Sequence, residues 1–334
     1  MFNPRIAIVT KAPVSKSLAL VPTVTKDKIF FEKMTQENYQ IGQKFRDIAR
    51  NYFTHVDLFQ LDEVFSQYNK RNKVFNDYDL IVPIGGDGTF LSCSHFLPDN
   101  KKLILGVNSN PKSSVGFLLE MKYDDSFDTS CEHNMERLSR GDYEALHRKR
   151  FEVFFTLPKT TVKNQIIANH NYLIGLNDLF YGSLSQSTTA SYFFATGDEE
   201  PKMVRSTGCL IYTGSGSSAW AQSMNQVSDS ILKTILESLD INPTSEKIAE
   251  VKEDIKRKYQ FGPALNKLAF KHREILSLVN GAAEDGTGIK FTFQNKTVGA
   301  FVAVDGFEHN LEMDEKVDVQ LSSPDKDLLC VRFN

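Results

Sequence analysis

Asp87 is the residue whose chemical type and surroundings most need explaining. It sits in Gly85-Gly86-Asp87-Gly88-Thr89, after the apolar run at 79–84. Phe90-Leu91 and His95-Phe96-Leu97 follow at helical spacing until Pro98. Residues 79–84 suit one buried strand and are too few for a helix. Strand, glycine turn and helix start form the geometry in which backbone N–H groups converge on phosphate oxygens. Glycine at 85, 86 and 88 removes the Cβ that would bar positive φ and close approach of a diphosphate. A carboxylate inside such a cradle repels the ligand it helps to hold. It therefore needs work of its own: steering a hydroxyl nucleophile, or holding a metal ion that offsets the charge. The alternative is a turn aspartate that caps the following helix. Three glycines and Thr89 directly behind an apolar strand favour phosphoryl transfer.

Three further patches carry polar groups at strand ends. Asn177-Asp178 follows the apolar run 172–176, and an amide beside a carboxylate can read a purine edge or ribose hydroxyls, or simply make a turn. Residues 208–220 (GCLIYTGSGSSAW) are a strand that empties into a Gly/Ser/Thr loop. Its small residues would let backbone approach a ligand, with Trp220 available for stacking; the alternative is a flexible hairpin loop. Val304-Asp305-Gly306 is a common hairpin turn that need mean nothing more.

The elements around these patches divide the chain near residue 145. Before it, residues 5–9 read as a buried strand and residues 27–53 as a helix crossing back over a sheet. A second strand at 55–59, a short helix at 64–68 and a continuous strand at 103–107 follow. This alternation implies an open, mostly parallel α/β sheet over 1–145, with ligands at the strands' carboxyl ends. Residues 124–140 read as a polar linker helix closed by Gly141. Beyond it, runs at 151–155, 192–194, 290–293 and 301–304 with turn residues between them predict an all-β, sandwich-like domain over 146–334. A helical insert over 224–259 interrupts it, carrying Ile231, Leu232, Ile235, Leu236 and Leu239. The basic cluster His147-Arg148-Lys149-Arg150 reads as a solvated strand entry.

Composition narrows the class. The chain has 334 residues and a net charge of −3, which calls for neither nucleic acid nor a membrane surface as partner. Twenty-five Phe against one Trp suit a β-rich interior. Cys93, Cys131, Cys209 and Cys330 are scattered without a CxxC pair, as expected of reduced thiols in an intracellular protein. No apolar run reaches the roughly 18–20 residues of a membrane span. The early strand leaves no room for a secretory signal, and no presequence is visible, so the expected location is mitochondrial or cytoplasmic.

Taken in order, the patches resemble the NAD kinase family: GGDGTFL at 85–91, GVNSNP at 106–111 with GFL at 116–118, LND at 176–178, RSTG at 205–208, TGSGSSAW at 213–220 and VDG at 304–306. The spelling GGDGTFLSCSHF, the HRE at 272–274 and the helical insert are similar to the eukaryotic mitochondrial NAD kinase and plant NADH kinase branch. The resemblance implies transfer of the γ-phosphate of ATP, with Mg²⁺, to the 2′-hydroxyl of the adenosine ribose of NAD⁺ or NADH, in a homodimer. Asp87 would orient or deprotonate that hydroxyl, and Gly85, Gly86, Gly88 and Thr89 would line the phosphate site. Asn177 and Asp178 would bind the adenosine and ribose hydroxyls. Arg205, Thr207, Ser218, Ala219, Trp220 and Ser223 would line the rest of the dinucleotide site. No metal ligand is assigned. Thr207 stands where bacterial members often have an acid, and Trp220 where a Tyr is usual; both leave the preference between NAD⁺ and NADH open. GGDGT also occurs in lipid kinases and, nearly, in sugar kinases. A diacylglycerol- or sphingosine-like kinase, a sugar kinase and a non-catalytic nucleotide sensor are therefore the alternatives.

Overall fold

A computed structural model describes residues 3–12, 25–68, 74–160, 168–185, 188–278 and 283–333. They form two compact units. One spans 1–148 and takes back 323–334; the other is built mainly from 149–159 and 170–322. These units differ from a division at 145, because the end of the chain returns to the first sheet.

In the first unit, β1 (Ile6–Thr10) pairs in parallel with β2 (Val56–Gln60) and β3 (Leu80–Gly85). Helices α1 (Thr25–Ala49) and α2 (Leu61–Tyr68) make the connections. The turn after β3 passes directly into α3 (Asp87–Ser94). The expected continuous strand at 103–107 is instead two short pieces, β4 (Leu103–Ile104) and β5 (Val107–Asn108), each paired with β3. Between them the Gly106 carbonyl leaves the ladder to accept the N–H groups of Glu120 and Met121, at 3.1 and 3.0 Å. An added Cβ on Gly106 would lie 2.5 Å from Leu119, so only glycine lets the chain pass there. Beyond β6 (Met121–Lys122), helix α4 (Phe127–Ser139) is not a polar linker. It buries Phe127, Cys131, Met135 and Leu138 in one core with Ile6, Ile8, Ile41 and Phe45. Its polar face had hidden an apolar stripe at helical spacing. The strand β7 (Glu144–Arg148) runs antiparallel to the C-terminal strand Leu328–Arg332, which itself runs parallel to β4.

The second unit consists of two antiparallel sheets. Its strands are β8 (Phe151–Thr160), β9 (Ala168–Gly175), β10 (Asp178–Ser183), β11 (Ala190–Thr196), β12 (Lys202–Ser206), β13 (Gly208–Tyr212), β14 (Leu268–Arg273), β15 (Ser277–Leu278), β16 (Asp285–Gly288), β17 (Lys290–Asn295), β18 (Ala300–Val304), β19 (Phe307–Leu311) and β20 (Lys316–Leu321). One sheet has the order β16-β14-β13-β10-β18-β19 and the other β15-β12-β11-β17-β20-β8-β9. Their inner faces meet through aromatic rings. Tyr181 of the first sheet lies 4.5 Å from Tyr192 and 5.2 Å from Phe293 of the second, centroid to centroid, and Phe270 lies 4.8 Å from Phe194. Alternating Phe and Tyr at strand period 2 thus fill a sandwich core.

The helical insert is three helices rather than one: α5 (Trp220–Met224), α6 (Asp229–Ser238) and α7 (Ser245–Tyr259). Ser228 and Thr244 each cap the next helix by accepting a backbone N–H, and Asp240 at φ 56° ends α6. Leu232 and Leu236 pack with Ile248 of α7, while Ile231, Ile235 and Leu239 face solvent. The basic cluster is solvated only in part: His147 is exposed as expected, whereas Lys149 and Arg150 are 7% and 1% exposed. They lie where β8 enters the sandwich, among residues the local sequence does not announce.

Candidate functional site

In the first unit the glycine turn is held from two sides. The Gly85 carbonyl accepts the Ser109 N–H at 3.0 Å, and the Asp87 carboxylate accepts the N–H groups of Phe117 (Oδ2, 3.2 Å) and Leu118 (Oδ1, 2.9 Å). Asn108 completes the brace: its Oδ1 accepts the Asn110 N–H and its Nδ2 donates to the Ser114 carbonyl. The motifs at 85–91, 106–111 and 116–118 therefore form one structure, although more than 20 residues separate the first from the last. Asp87 does not cap α3. Gly86 occupies the cap position, without a side-chain acceptor, so the first N–H groups of the helix have no local side-chain partner there.

The glycines work through space and not through backbone sign. Gly86 has φ −103°, and none of Gly85, Gly86 and Gly88 is among the glycines with positive φ. This corrects the expectation that the turn needs left-handed backbone. At Gly85 a Cβ would lie 2.7 Å from the Thr89 Cβ, so this glycine serves packing, and Thr89, only 7% exposed, is its lid. A Cβ at Gly86 would come no closer than 3.7 Å to Ser114, and one at Gly88 would meet open space. Those two leave room for a ligand oxygen.

In the second unit three further motifs meet at Asn177 and Asp178, which are 6% and 9% exposed. The Asp305 carboxylate accepts three successive N–H groups, from Leu176, Asn177 and Asp178, at 2.7, 2.7 and 3.1 Å. Asp305 and Gly306 have φ of 48° and 86°, the left-handed pair of a tight hairpin between β18 and β19. This turn is thus also a clamp. From the other side Thr213 donates through Oγ1 to the Leu176 carbonyl at 2.6 Å, and its N–H donates to the Asn177 carbonyl at 3.0 Å. The loop then presses on the same corner at Gly216, where a Cβ would lie 2.6 Å from the Asn177 carbonyl carbon.

Two groups at this corner are chemically perturbed. The Asn177 Oδ1 is buried without a hydrogen-bond partner, a cost a ligand donor would remove. Burial, and then the nearby charge of Asp305, push the Asp178 carboxyl up to about 8. At neutral pH it is therefore largely protonated and can donate as well as accept.

The remaining predicted residues divide. Ser218, Ala219, Trp220 and Ser223 follow on from the loop and enter α5. Trp220 is 39% exposed and packs on Phe180 with ring centroids 4.5 Å apart and planes 33° from parallel. It is a surface ring on an aromatic base. Thr207 accepts a bond from Arg273 Nε at 2.8 Å, and that guanidinium lies 5.4 Å from the Phe180 centroid. Arg205 is exposed on β12, in the other sheet, and its carbonyl accepts the Leu276 N–H at 2.9 Å. Sequence reasoning passed over Asp305, Phe180 and Arg273 as site builders. Asp305 stands 127 residues from Asp178, and only its left-handed turn was visible locally.

The ATP-NAD kinase N-terminal domain matches residues 18–140. Among curated relatives, mitochondrial NAD kinase 2 of Homo sapiens is 25% identical over 273 residues, covering 70% of this chain and 61% of that protein. The Xenopus tropicalis protein of the same name is 25% identical over 304 residues, covering 75% and 70%. The chain thus spans about three fifths of the human relative's length. Among solved structures, yeast NADH kinase complexed with NADH superposes with a TM-score of 0.65 at 14% identity, over 99% of this chain and 84% of that one. An NAD kinase from Archaeoglobus fulgidus in complex with ATP gives 0.53 at 15% identity, over 98% and 93%. At these identities the structural likeness establishes the fold.

Proposed function

We propose that this chain, which carries the N-terminal domain of the NAD kinase family and is homologous to mitochondrial NAD kinase 2, is an NAD(H) kinase. It would transfer the γ-phosphate of ATP to the 2′-hydroxyl of the adenosine ribose of NAD⁺ or NADH. The observation that carries this reading is the corner at Asn177-Asp178. A buried amide oxygen without a partner stands beside a carboxyl raised to about 8, and both residues are held by motifs from two distant parts of the chain. An acceptor and a donor so fixed suit an adenosine, whose exocyclic amine donates and whose ribose offers hydroxyls.

The roles follow from each residue's own geometry. Asp87 spends two of the roughly four lone-pair directions of its carboxylate on Phe117 and Leu118. Those that remain would accept the ribose hydroxyl proton while backbone N–H groups of the turn and the open faces of Gly86 and Gly88 receive phosphate oxygens. Among the described residues no three His, Cys, Asp or Glu side chains converge on a metal position. Magnesium would accordingly arrive with the nucleotide, held by its phosphates and at most one or two carboxylates. Trp220 would present its exposed face to the dinucleotide. A homodimer is the proposed assembly, supported by the exposed apolar stripe of Ile231, Ile235 and Leu239. The proposed location is mitochondrial, with the cytoplasm as the alternative.

Purified protein with ATP, Mg²⁺ and NAD⁺, NADH or a lipid mixture tests the reading. NADP⁺ or NADPH is the expected product. The lipid arm matters because Val115 and Phe117, beside the Asp87 clamp, are 68% and 54% exposed. Phosphorylated lipid with neither dinucleotide converted would overturn the proposal.

A further inference from the structure

In the second unit the chain changes sheets twice, side by side. β12 belongs to the second sheet and β13 to the first, with Thr207 alone between them. β14 belongs to the first sheet and β15 to the second. The two crossings are tied together. The Arg273 carbonyl accepts the Thr207 N–H at 3.0 Å and the Thr207 hydroxyl at 3.2 Å, and the Leu276 N–H donates to the Arg205 carbonyl. Gly208 passes so close to Phe180 that a Cβ there would lie 2.3 Å from the ring, and its φ of 154° is one that side chains rarely allow. The Trp220 ring and the Arg273 guanidinium both rest on that phenyl ring, 4.5 and 5.4 Å from its centroid. The position of Gly208 therefore sets that of the exposed ring and of the cation.

A buried chain of hydrogen bonds lies behind the crossing. The Ser206 hydroxyl donates to the Gly208 carbonyl at 2.9 Å and accepts the Gly208 N–H at 3.2 Å. The Tyr192 hydroxyl oxygen lies 2.8 Å from Ser206 Oγ and 2.8 Å from His272 Nδ1. All three side chains are 3% exposed or less. Counting hydrogens fixes the direction. The contacts of Ser206 with Gly208, of Tyr192 with Ser206 and of His272 with Tyr192 need one hydrogen each, and the two hydroxyls supply only two. The third must sit on His272 Nδ1. Burial pushes the His272 pKa down to about 4, so the ring is neutral and Nε2 keeps a bare lone pair; that atom is buried without a hydrogen-bond partner. Burial also raises the Tyr192 hydroxyl well above its ordinary value and so keeps its proton in place. Phe194 and Phe270 pack around the imidazole. An orphaned lone pair in such a core costs free energy that a leucine would not.

We propose that His272, Tyr192 and Ser206 are positioning residues for the dinucleotide wall. They form one hydrogen-bond chain, running from His272 through Tyr192 and Ser206 to Gly208, which holds the crossing so that Phe180 presents Trp220 and Arg273 to the dinucleotide. Buried as they are, the three act through Gly208 and Phe180 and not by contact with substrate. The proposal rests on the kinase reading above.

Nitrogen NMR on histidine-labelled protein, with His272 identified by its absence in His272→Asn, should show the ring proton on Nδ1 and no titration down to about pH 5. A proton on Nε2 would overturn the chain. Calorimetric Kd for NAD⁺, kcat and melting temperature are then compared in Tyr192→Phe, His272→Asn and His272→Leu. Tyr192→Phe should raise the NAD⁺ Kd about five-fold, the worth of one uncharged hydrogen bond, with kcat at saturating NAD⁺ unchanged. His272→Asn keeps a donor at the Nδ1 position and should bind NAD⁺ as wild type does, although it melts lower. His272→Leu fills the core and should melt above His272→Asn, yet bind as weakly as Tyr192→Phe. If packing alone mattered, affinity would follow melting temperature. His272→Leu binding at least as tightly as His272→Asn, or a wild-type Kd in Tyr192→Phe, would therefore overturn the proposal. Failure of the kinase reading looks different, since wild type would then convert neither NAD⁺ nor NADH. The chain is still read on the unliganded protein, where Tyr192→Phe should shift Trp220 emission and an unchanged emission overturns it.

Discussion

Asp87 and Asp305 use the same device in two regions to different ends. Each carboxylate holds a distant backbone segment through successive N–H groups, two for Asp87 and three for Asp305. Around Asp87 the clamped segment exposes Val115 and Phe117, and of the neighbouring glycines Gly88 faces open space while a Cβ at Gly86 would make only ordinary contact with Ser114. Around Asp305 the clamped residues Leu176, Asn177 and Asp178 are all buried. A carboxylate with lone pairs to spare and room beside it can still serve a ligand. One that secures three N–H groups of a buried corner serves the fold around the proposed dinucleotide site. Position in the fold, and not residue type, separates chemistry from scaffolding.

The largest effect expected from disturbing the second region is that of Gly216→Ala. Its Cβ would collide with the Asn177 backbone, and a loss of about 3 kcal/mol or more is expected in urea unfolding. A transition close to wild type would show that the corner can yield. Next is Asp178→Asn. The folded carboxyl titrates near 8 against an ordinary value of 3.8, so the folded protein keeps a proton that the unfolded chain releases. The stability that this protonation provides is fully present below about pH 4 and is lost as pH rises towards 8. Asn has no such dependence, so its advantage over wild type should grow by on the order of 1 kcal/mol per pH unit across that window. Parallel unfolding midpoints from pH 5 to 8 would contradict the assignment.

Two smaller effects sharpen the contrast. Gly85→Ala meets Thr89 whereas Gly88→Ala meets nothing. The first should lower the melting temperature by a few degrees, and the second should leave it alone while slowing turnover. Equal turnover in Gly88→Ala and wild type would remove that glycine from the phosphate site. Trp220 is the one tryptophan of the chain, and NAD⁺ should change its emission. Unchanged emission at calorimetric saturation would take the ring away from the dinucleotide.

Local sequence carried much of this. The apolar run at 79–84 and the glycine turn identified β3 and the start of α3, because burial on both faces and glycine's permissiveness are local properties. The β-rich second half was legible from period-2 aromatics such as Tyr192 and Phe194. Long-range geometry was not: Asp305 looked like a hairpin turn because its three donors lie more than 120 residues away, and α4 looked like a linker because its four buried residues are spaced among as many charged ones. Lys149 and Arg150 misled for the same reason, since a basic run does not announce its own burial. The break at Gly106 depends on how closely Leu119 approaches, which no pattern near residue 106 records.

The central claim is that Asp87 works on a ligand and Asp305 on the fold, and one paired measurement tests it. Asp87→Asn and Asp305→Asn are compared for kcat at saturating ATP and NAD⁺ and for melting temperature. Asp87→Asn should lose about 10²–10⁴-fold in kcat and melt close to wild type, because an amide oxygen can keep one backbone donor. Asp305→Asn likewise turns its N–H₂ towards a backbone donor, but at a buried corner where the orphaned N–H finds no water, and should melt several degrees lower, with a smaller change in kcat while still folded. An Asp87→Asn protein that turns over at the wild-type rate, or whose activity falls only as its fold does, would contradict the account.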